Sequence, residues 1–296
     1  MNIYLLILTI IIIIIIIIFY LCTKCNPNIE HISNDNLEKS YNIPFKVWRT
    51  WETYELPYNA QDGHDKMKKM NPMFDFQIYS AIDRENFMRT EMPDDVSKAY
   101  FKINGSKNNG SKFGAARADL WRYCILYKYG GIYLDIDSEF NKPLLDIIEP
   151  NDQCIISYEG NKISDPDNLQ ELYLRNKLNT TDINEPIENI NNNKFLQWTI
   201  FSVPGHPFLK EVINHVTTNI LNWSKKDDLD FPSGHLRTIN LTGPDAWTVS
   251  IRRILRSNVP YRINGFDMNN SVTYKTKEFV DFGSYSKQDG IDFCLY

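Results

Sequence analysis

The 296-residue chain has no basic surplus: 32 Lys and Arg face 37 Asp and Glu, for a net charge of −5. A general nucleic-acid binder shows the opposite balance on at least one face, so no nucleic-acid partner is expected. Cysteine is scarce as well. Five in a chain this long exclude a disulfide-framework miniprotein. The lone C-x-x-C, Cys22 and Cys25, has only His31 after it. A zinc site needs a second ligand pair nearby, so acylation or no role is the reading there. No internal repeat recurs, and no boundary is strong enough to split the body. Aromatic residues make up 13% of the chain, well above what a disordered chain carries, so a substantial core is available.

Charge is also absent from Ile3 to Cys22, where Ile10 to Ile18 is an unbroken isoleucine run. About 20 apolar residues span roughly 30 Å, the hydrocarbon thickness of a bilayer. A cleaved signal peptide would have a basic start, a shorter apolar core and small residues before the cut, and none is present. Isoleucine on all sides leaves no polar face for a soluble helix. Residues 1–22 therefore read as an uncleaved single-pass anchor, 23–41 as a polar stem, and 42–296 as one globular domain. Lys24 points weakly to a cytoplasmic body. Six Asn-x-Ser/Thr sequons, beginning at Asn104, Asn109, Asn179, Asn222, Asn240 and Asn269, would suit a lumen instead. Charge alone leaves the topology open.

In the body, Phe45 to Trp51 and Met73 to Tyr79 read as strands, with a helix over Asp62 to Lys69 between them. Asn104 to Lys112 reads as an exposed loop, and residues 160–194 as a polar excursion. Phe195 to Val203 reads as a strand, and Pro207 to Asn219 and Ala246 to Leu255 as helices. Over Gly114 to Tyr129, Ala116, Leu120, Tyr123, Cys124 and Tyr127 make one apolar helical face, while Asp119 and Arg122 share another. Gly130-Gly131 ends that helix. Ile132-Tyr133-Leu134 then reads as a buried strand delivering Asp135-Ile136-Asp137. Helix, tight turn, buried strand and acidic tip make an α/β arrangement, with ligands expected at the strand's carboxyl end. Cys124 reads as core. Cys154 and Cys294 could pair in an oxidising compartment, which spacing cannot show.

Two carboxylates separated by one residue can hold a hard divalent cation, which can bridge a diphosphate. Asp165/Asp167 and Asp228/Asp230 repeat the spacing in polar surroundings, where a solvated turn is the natural reading. Only Asp135 and Asp137 close a buried strand. Carboxylates there are costly unless a cation or donors compensate them. The competing reading is a structural ion pair with Arg117 or Arg122. Glu139 continues the alternation, as a further ligand or a solvent-facing side chain.

The run Ala115-Ala116-Arg117-Ala118-Asp119-Leu120-Trp121-Arg122-Tyr123, then Leu126 through Asp137 and Lys142-Pro143-Leu144, resembles the DXD sugar-binding region of glycosyltransferase family 32. Ile43-Pro44 to Thr50-Trp51, Gly205-His206-Pro207-Phe208 and Thr242-Gly243-Pro244 are similar to further landmarks of that family. The resemblance implies a GT-A-type, Rossmann-like fold and a GDP- or UDP-sugar donor. It also implies manganese or magnesium, retention of anomeric configuration, and a glycan, glycoprotein or glycolipid acceptor. By position, it makes Asp135 and Asp137 the metal contacts, with Asp135 also reaching the donor. Asp119 and Arg122 would hold the donor's sugar and phosphate region, and Asp119, Arg122 and Asp137 form the implied catalytic set. Trp51 would stack on the base, or else is a core aromatic. The family's habit also implies a body facing a Golgi- or ER-type lumen. Trp48 stands where the family has histidine, and Tyr79 where tryptophan is common. No residue announces itself as a nucleophile. His206, His235 and Asp245 are possible late contributors, each more often a loop or cap residue.

Two other classes compete. A phosphohydrolase of the haloacid dehalogenase type also puts Asp-x-Asp after a buried strand, with the first Asp as nucleophile. There the motif opens the domain and Thr or Val follows two residues later. Here it lies roughly ninety residues into the body and Ser138-Glu139 follows. The other is a non-catalytic, membrane-anchored glycan-binding protein. Intact Asp119, Arg122, Asp135 and Asp137 argue against it.

Overall fold

The computed structural model describes residues 37–103, 114–159, 194–224, 234–255 and 257–274. Residues 1–40 and 41–296 are separate units. Of the first, the described part is one turn closed by Ser40 N–H donating to Leu37 O at 3.0 Å. The expected anchor, most of the stem, the 104–112 loop, nearly all of the 160–194 excursion, both other Asp-x-Asp pairs, Cys22, Cys25 and Cys294 lie outside the described residues. Among the described residues no helix is long and apolar enough to cross a membrane.

In the second unit β-branched and aromatic residues build a six-stranded sheet. Its strands are β1 (Lys46–Thr50), β2 (Asp75–Tyr79), β3 (Gly131–Leu134), β5 (Cys154–Tyr158), β6 (Thr199–Ser202) and β7 (Arg262–Phe266), in the order β2-β1-β3-β6-β5-β7. All pairings are parallel except those of β6, which runs antiparallel to both β3 and β5. A two-stranded ladder of β4 (Ser138–Phe140) and β8 (Val272–Tyr274) lies just past the acidic tip. The helices are α1 (Tyr58–Met70), α2 (Ala81–Thr90), α3 (Asp94–Lys102), α4 (Gly114–Tyr129), α5 (Pro207–Leu221), α6 (Gly234–Leu241) and α7 (Pro244–Ile254). The α/β class expected from the pattern is the one observed.

Helix α4 differs from the expected amphipathic helix. Every side chain from Ala118 to Leu126 is buried, Asp119 and Arg122 included. The reason is its place between β1 and β3 on one side and α2, α3 and α5 on others, which leaves no side for water. Strand β3 is buried at all four positions because β1 and β6 flank it in the sheet centre.

The helix-to-strand turn needs its two glycines. Gly130 and Gly131 have φ of 65° and 98°, a region closed to most side chains. A Cβ on Gly131 would also stand 2.6 Å from Lys46 O. Trp48 Nε1 donates to Gly130 O at 2.7 Å, so the residue that departs from the family pattern ties this turn to β1. Tyr79 packs its ring against Trp48 and Trp121 in the core. Between β7 and β8, Asp267 to Asn270 form a left-handed turn, with φ from 45° to 57° at four successive non-glycine residues. Buried Met268 and the Ser157 hydroxyl, which accepts from Met268 N–H at 2.8 Å, hold it.

Candidate active site

Three of the expected site residues meet at the carboxyl end of β3. Arg122 Nη2 lies 2.9 Å from Asp119 Oδ1 and 3.1 Å from Asp135 Oδ1, so one guanidinium bridges the helix to the acidic tip. The i, i+3 spacing on α4 puts Asp119 and Arg122 on one face, and β3 brings Asp135 to it. Arg122 Nη1 donates to Gln197 Oε1 at 2.8 Å. Gln197 Nε2 donates to Asp119 Oδ1 at 2.9 Å, and Thr242 Oγ1 donates to Asp119 Oδ2 at 2.8 Å. The Tyr133 hydroxyl donates to Asp135 Oδ1 at 2.6 Å, and its ring lies 4.4 Å from the Arg122 guanidinium carbon.

The ion pair weighed against a ligand site is therefore present for Asp135 and Arg122. Arg117 pairs with Glu85 instead, at 2.9 Å. Burial works against the charge on Arg122, but Asp135, Tyr133 and Asp119 outweigh it and raise its pKa. Burial raises the Asp119 pKa despite Arg122, Gln197 and Thr242. Among the described residues buried Arg122 Nε has no hydrogen-bond partner, so one donor of a charged guanidinium is left unspent there.

Asp137 sits on the other side of the tip. Burial and then the charge of Asp135 push its pKa up to about 7, while the Tyr274 hydroxyl donates to it. A carboxylate so destabilised as an anion, two residues from another, suits a hard divalent cation. Among the described residues no group of three His, Cys, Asp or Glu forms a metal cluster. Two carboxylates with the remaining positions left to water and phosphate fit magnesium or manganese rather than a closed protein cage.

Sequence reasoning missed Arg49. This β1 side chain is 1% exposed, and its Nη2 donates to the carbonyls of Asp135, Ile136 and Ser138 at 3.1, 2.7 and 3.1 Å. Burial lowers its pKa to about 10. The aromatic-rich run Phe45 to Trp51 placed Arg49 in a strand, but nothing local signalled that its guanidinium would hold the carbonyls of the tip. Gln197 and Thr242 were also missed, although Thr242 opens the Thr-Gly-Pro landmark. Trp51, half-buried, stands just past β1 at the same sheet edge as Asp135, its N–H donating to Tyr79 O at 3.2 Å. Glu139 lies in β4, half-buried.

The late candidates fall elsewhere. His206 caps α5, with Nδ1 accepting from Phe208 N–H and Nε2 against Pro260 O. Asp245 is buried and pairs with Lys194 at 2.6 Å. His235 falls in α6, and its side chain is outside the described set. Cys124 and Cys154 are buried, and burial pushes their thiols well above the usual range.

Residues 22–158 match the family model described as the glycosyltransferase sugar-binding region containing a DXD motif. The stretch includes β1, α4, β3 and the acidic tip, and stops short of Gln197 and Thr242. The chain is 26% identical over 219 residues to the initiation-specific alpha-1,6-mannosyltransferase of Schizosaccharomyces pombe, covering 67% of this chain and 50% of that protein. It is 30% identical over 102 residues to inositol phosphoceramide mannosyltransferase 3 of the same yeast, covering 34% of this chain and 26% of that one. It thus spans about half the length of the first relative and a quarter of the second. Among solved structures, the PaToxG glycosyltransferase superposes with a TM-score of 0.45 at 14% identity, covering 74% of each chain.

Proposed function

We propose that the chain is a glycosyltransferase, on the strength of its match over residues 22–158 to the sugar-binding region with a DXD motif, and that it transfers a hexose from a nucleotide-sugar donor to a glycan or other saccharide-bearing acceptor, with retention and with help from a divalent cation. The observation that carries this reading is the pair of carboxylates, Asp135 and Asp137, that follows buried β3, where burial and the charge of Asp135 disfavour the anion of Asp137. The reading extends to a GT-A-type fold for residues 42–296. Mannose is the first choice of sugar, hence GDP of nucleotide, because both relatives named above are mannosyltransferases. Residues 1–22 would anchor the chain in a secretory-pathway membrane, with the body in the lumen.

In this reading Asp119 positions rather than reacts, since its oxygens are already engaged by Arg122, Gln197 and Thr242. Arg122 stays charged and has an unspent Nε–H, so it can stabilise charge developing on the leaving diphosphate. Trp51, at the β1 end of the same edge, offers a flat ring to the base. Asp135 and Asp137 would hold manganese or magnesium, which when bound neutralises charge on the diphosphate as a Lewis acid. No side chain here is assigned as a nucleophile. An acceptor hydroxyl would attack from the face that the diphosphate leaves.

The test uses the full chain in detergent, offered GDP- and UDP-sugars with and without manganese, with nucleotide release followed. Release from one donor, dependent on manganese and reduced at least about 100-fold in Asp135→Asn and Asp137→Asn, is expected. No release and no donor binding by the folded chain would overturn the transferase and leave a glycan-binding protein in its place.

A further inference from the structure

Two aromatic rings stand beside the acidic tip and have no part in the function described so far. Trp198 precedes β6, and its carbonyl accepts from Asp135 N–H at 2.9 Å. Tyr274 ends β8, opposite Ser138 in the β4–β8 ladder, and its hydroxyl donates to the Asp137 carboxylate. The two ring centroids are 5.3 Å apart at 39°. Trp198 is half-buried and Tyr274 is 45% exposed. The main chain of Trp198 is thus tied to that of Asp135, and the side chain of Tyr274 to the Asp137 carboxylate, so both rings are held beside the acidic tip and partly open to solvent.

This placement is held at a cost. β8 reaches the tip through the left-handed turn Asp267 to Asn270, a conformation that persists only where the surroundings over-determine it. The pair also lies across β3 from the base side. In the sheet order β1 flanks β3 on one side, where Trp51 stands, and β6 flanks it on the other, where Trp198 stands. A nucleotide based at Trp51 with its diphosphate at the tip leaves the β6 side for a second sugar.

We propose that Trp198 and Tyr274 form the acceptor subsite, a stacking wall for the C–H face of a pyranose or cyclitol ring whose hydroxyl is to be glycosylated. Aromatic rings with a fixed polar tip suit such a ligand, because the ring covers the apolar face of the sugar while the hydroxyl end stays hydrogen-bonded. The inference rests on the transferase reading for its direction of transfer, but ring binding can be measured without any donor.

The experiment compares the full chain with Tyr274→Phe, which keeps the ring, and Tyr274→Leu, which keeps apolar bulk without a flat face. Trp198→Phe is the third variant, and thermal unfolding checks that each is folded. Saturation-transfer NMR with methyl α-D-mannopyranoside, and separately with myo-inositol, reads binding directly and distinguishes the two ring types. Saturation of the ring protons of one probe, kept in Tyr274→Phe and lost in Tyr274→Leu, is expected. With the active donor, the KM of that probe as acceptor should rise about tenfold in Tyr274→Leu, and the donor KM by a smaller factor. Loss in both variants would make the hydroxyl the contact and overturn the stacking wall. So would saturation unchanged in both, or no saturation by either probe in the unaltered chain. An equal rise in donor KM would assign the pair to the transferred sugar and also overturn the proposal. If the unaltered chain cleaves no donor, the transferase reading fails, while the saturation pattern still decides the wall.

Discussion

Arg49, on the strand next to β3, supports the acidic tip through main-chain carbonyls rather than carboxylates. A guanidinium has its donors in a fixed fork, and here one nitrogen of that fork satisfies the carbonyls of Asp135, Ile136 and Ser138 together. Its Nη1 lies 3.4 Å from His64 Nδ1. Replacing it with methionine keeps the volume but leaves three acceptors short of a donor at a loop that carries two carboxylates. Arg49→Met should lower unfolding free energy by about 3 kcal/mol, read by urea denaturation at unchanged m-value. Arg49→Lys should recover less than half of that, because the shorter lysine stem does not carry its ammonium to the place of Nη2. Full recovery by lysine would mean that charge, not hydrogen-bond geometry, holds the tip.

At the scale of elements, the α4–turn–β3 unit decides where Asp135 points. Its period, its Gly130-Gly131 stop and the apolar run after it were all legible, because helix period, glycine punctuation and a buried short strand are local signals. The burial of Asp119 and Arg122 was not legible: a charged pair three residues apart reads as a solvated face until helices pack over it. The three-residue strands β4 and β8 are too short to show a pattern, and β5 and β7 were missed as well. The turn offers a direct test. Gly131→Ala adds a Cβ at φ 98° and 2.6 Å from Lys46 O, whereas Gly205→Ala adds one at φ 71° with nothing within 4 Å. Gly205→Ala should cost about 1 kcal/mol from backbone conformation alone. Gly131→Ala should cost at least about 2 kcal/mol more, since β1 and β3 must separate to admit it. Thermal unfolding of the two variants side by side measures the difference.

For the whole molecule, the core is continuous from α2 and α3 through α4 to α5 and α7, and histidines built into or beside it make its stability depend on pH. His64, between the Arg49 guanidinium and the Phe76 ring, is lowered to about 4 by burial and then by Arg49. His215 on α5 is lowered to about 3 by burial and then by Arg253, whose Nη1 lies 3.0 Å from its Nδ1 and 3.4 Å from Glu211. Both are neutral in the folded chain. In the unfolded chain they take up protons near pH 6.5. Between about pH 6.5 and 4 the unfolded state therefore binds more protons at these sites, and stability falls as pH falls. Above about pH 6.5 their contribution is complete. Carboxylates that titrate over the same range act equally in the unaltered chain and in His215→Gln, whose amide oxygen can still accept from Arg253. The difference between the two isolates one histidine. As pH drops from 6 to 4.5, the unaltered chain should lose stability relative to His215→Gln by at most about 1.4 kcal/mol per pH unit, the value for one proton. Denaturation midpoints across that range would show the two curves converging toward acid pH. Parallel curves would mean that His215 is solvated enough to titrate normally, and that α5 and α7 are less tightly closed over it than their packing implies.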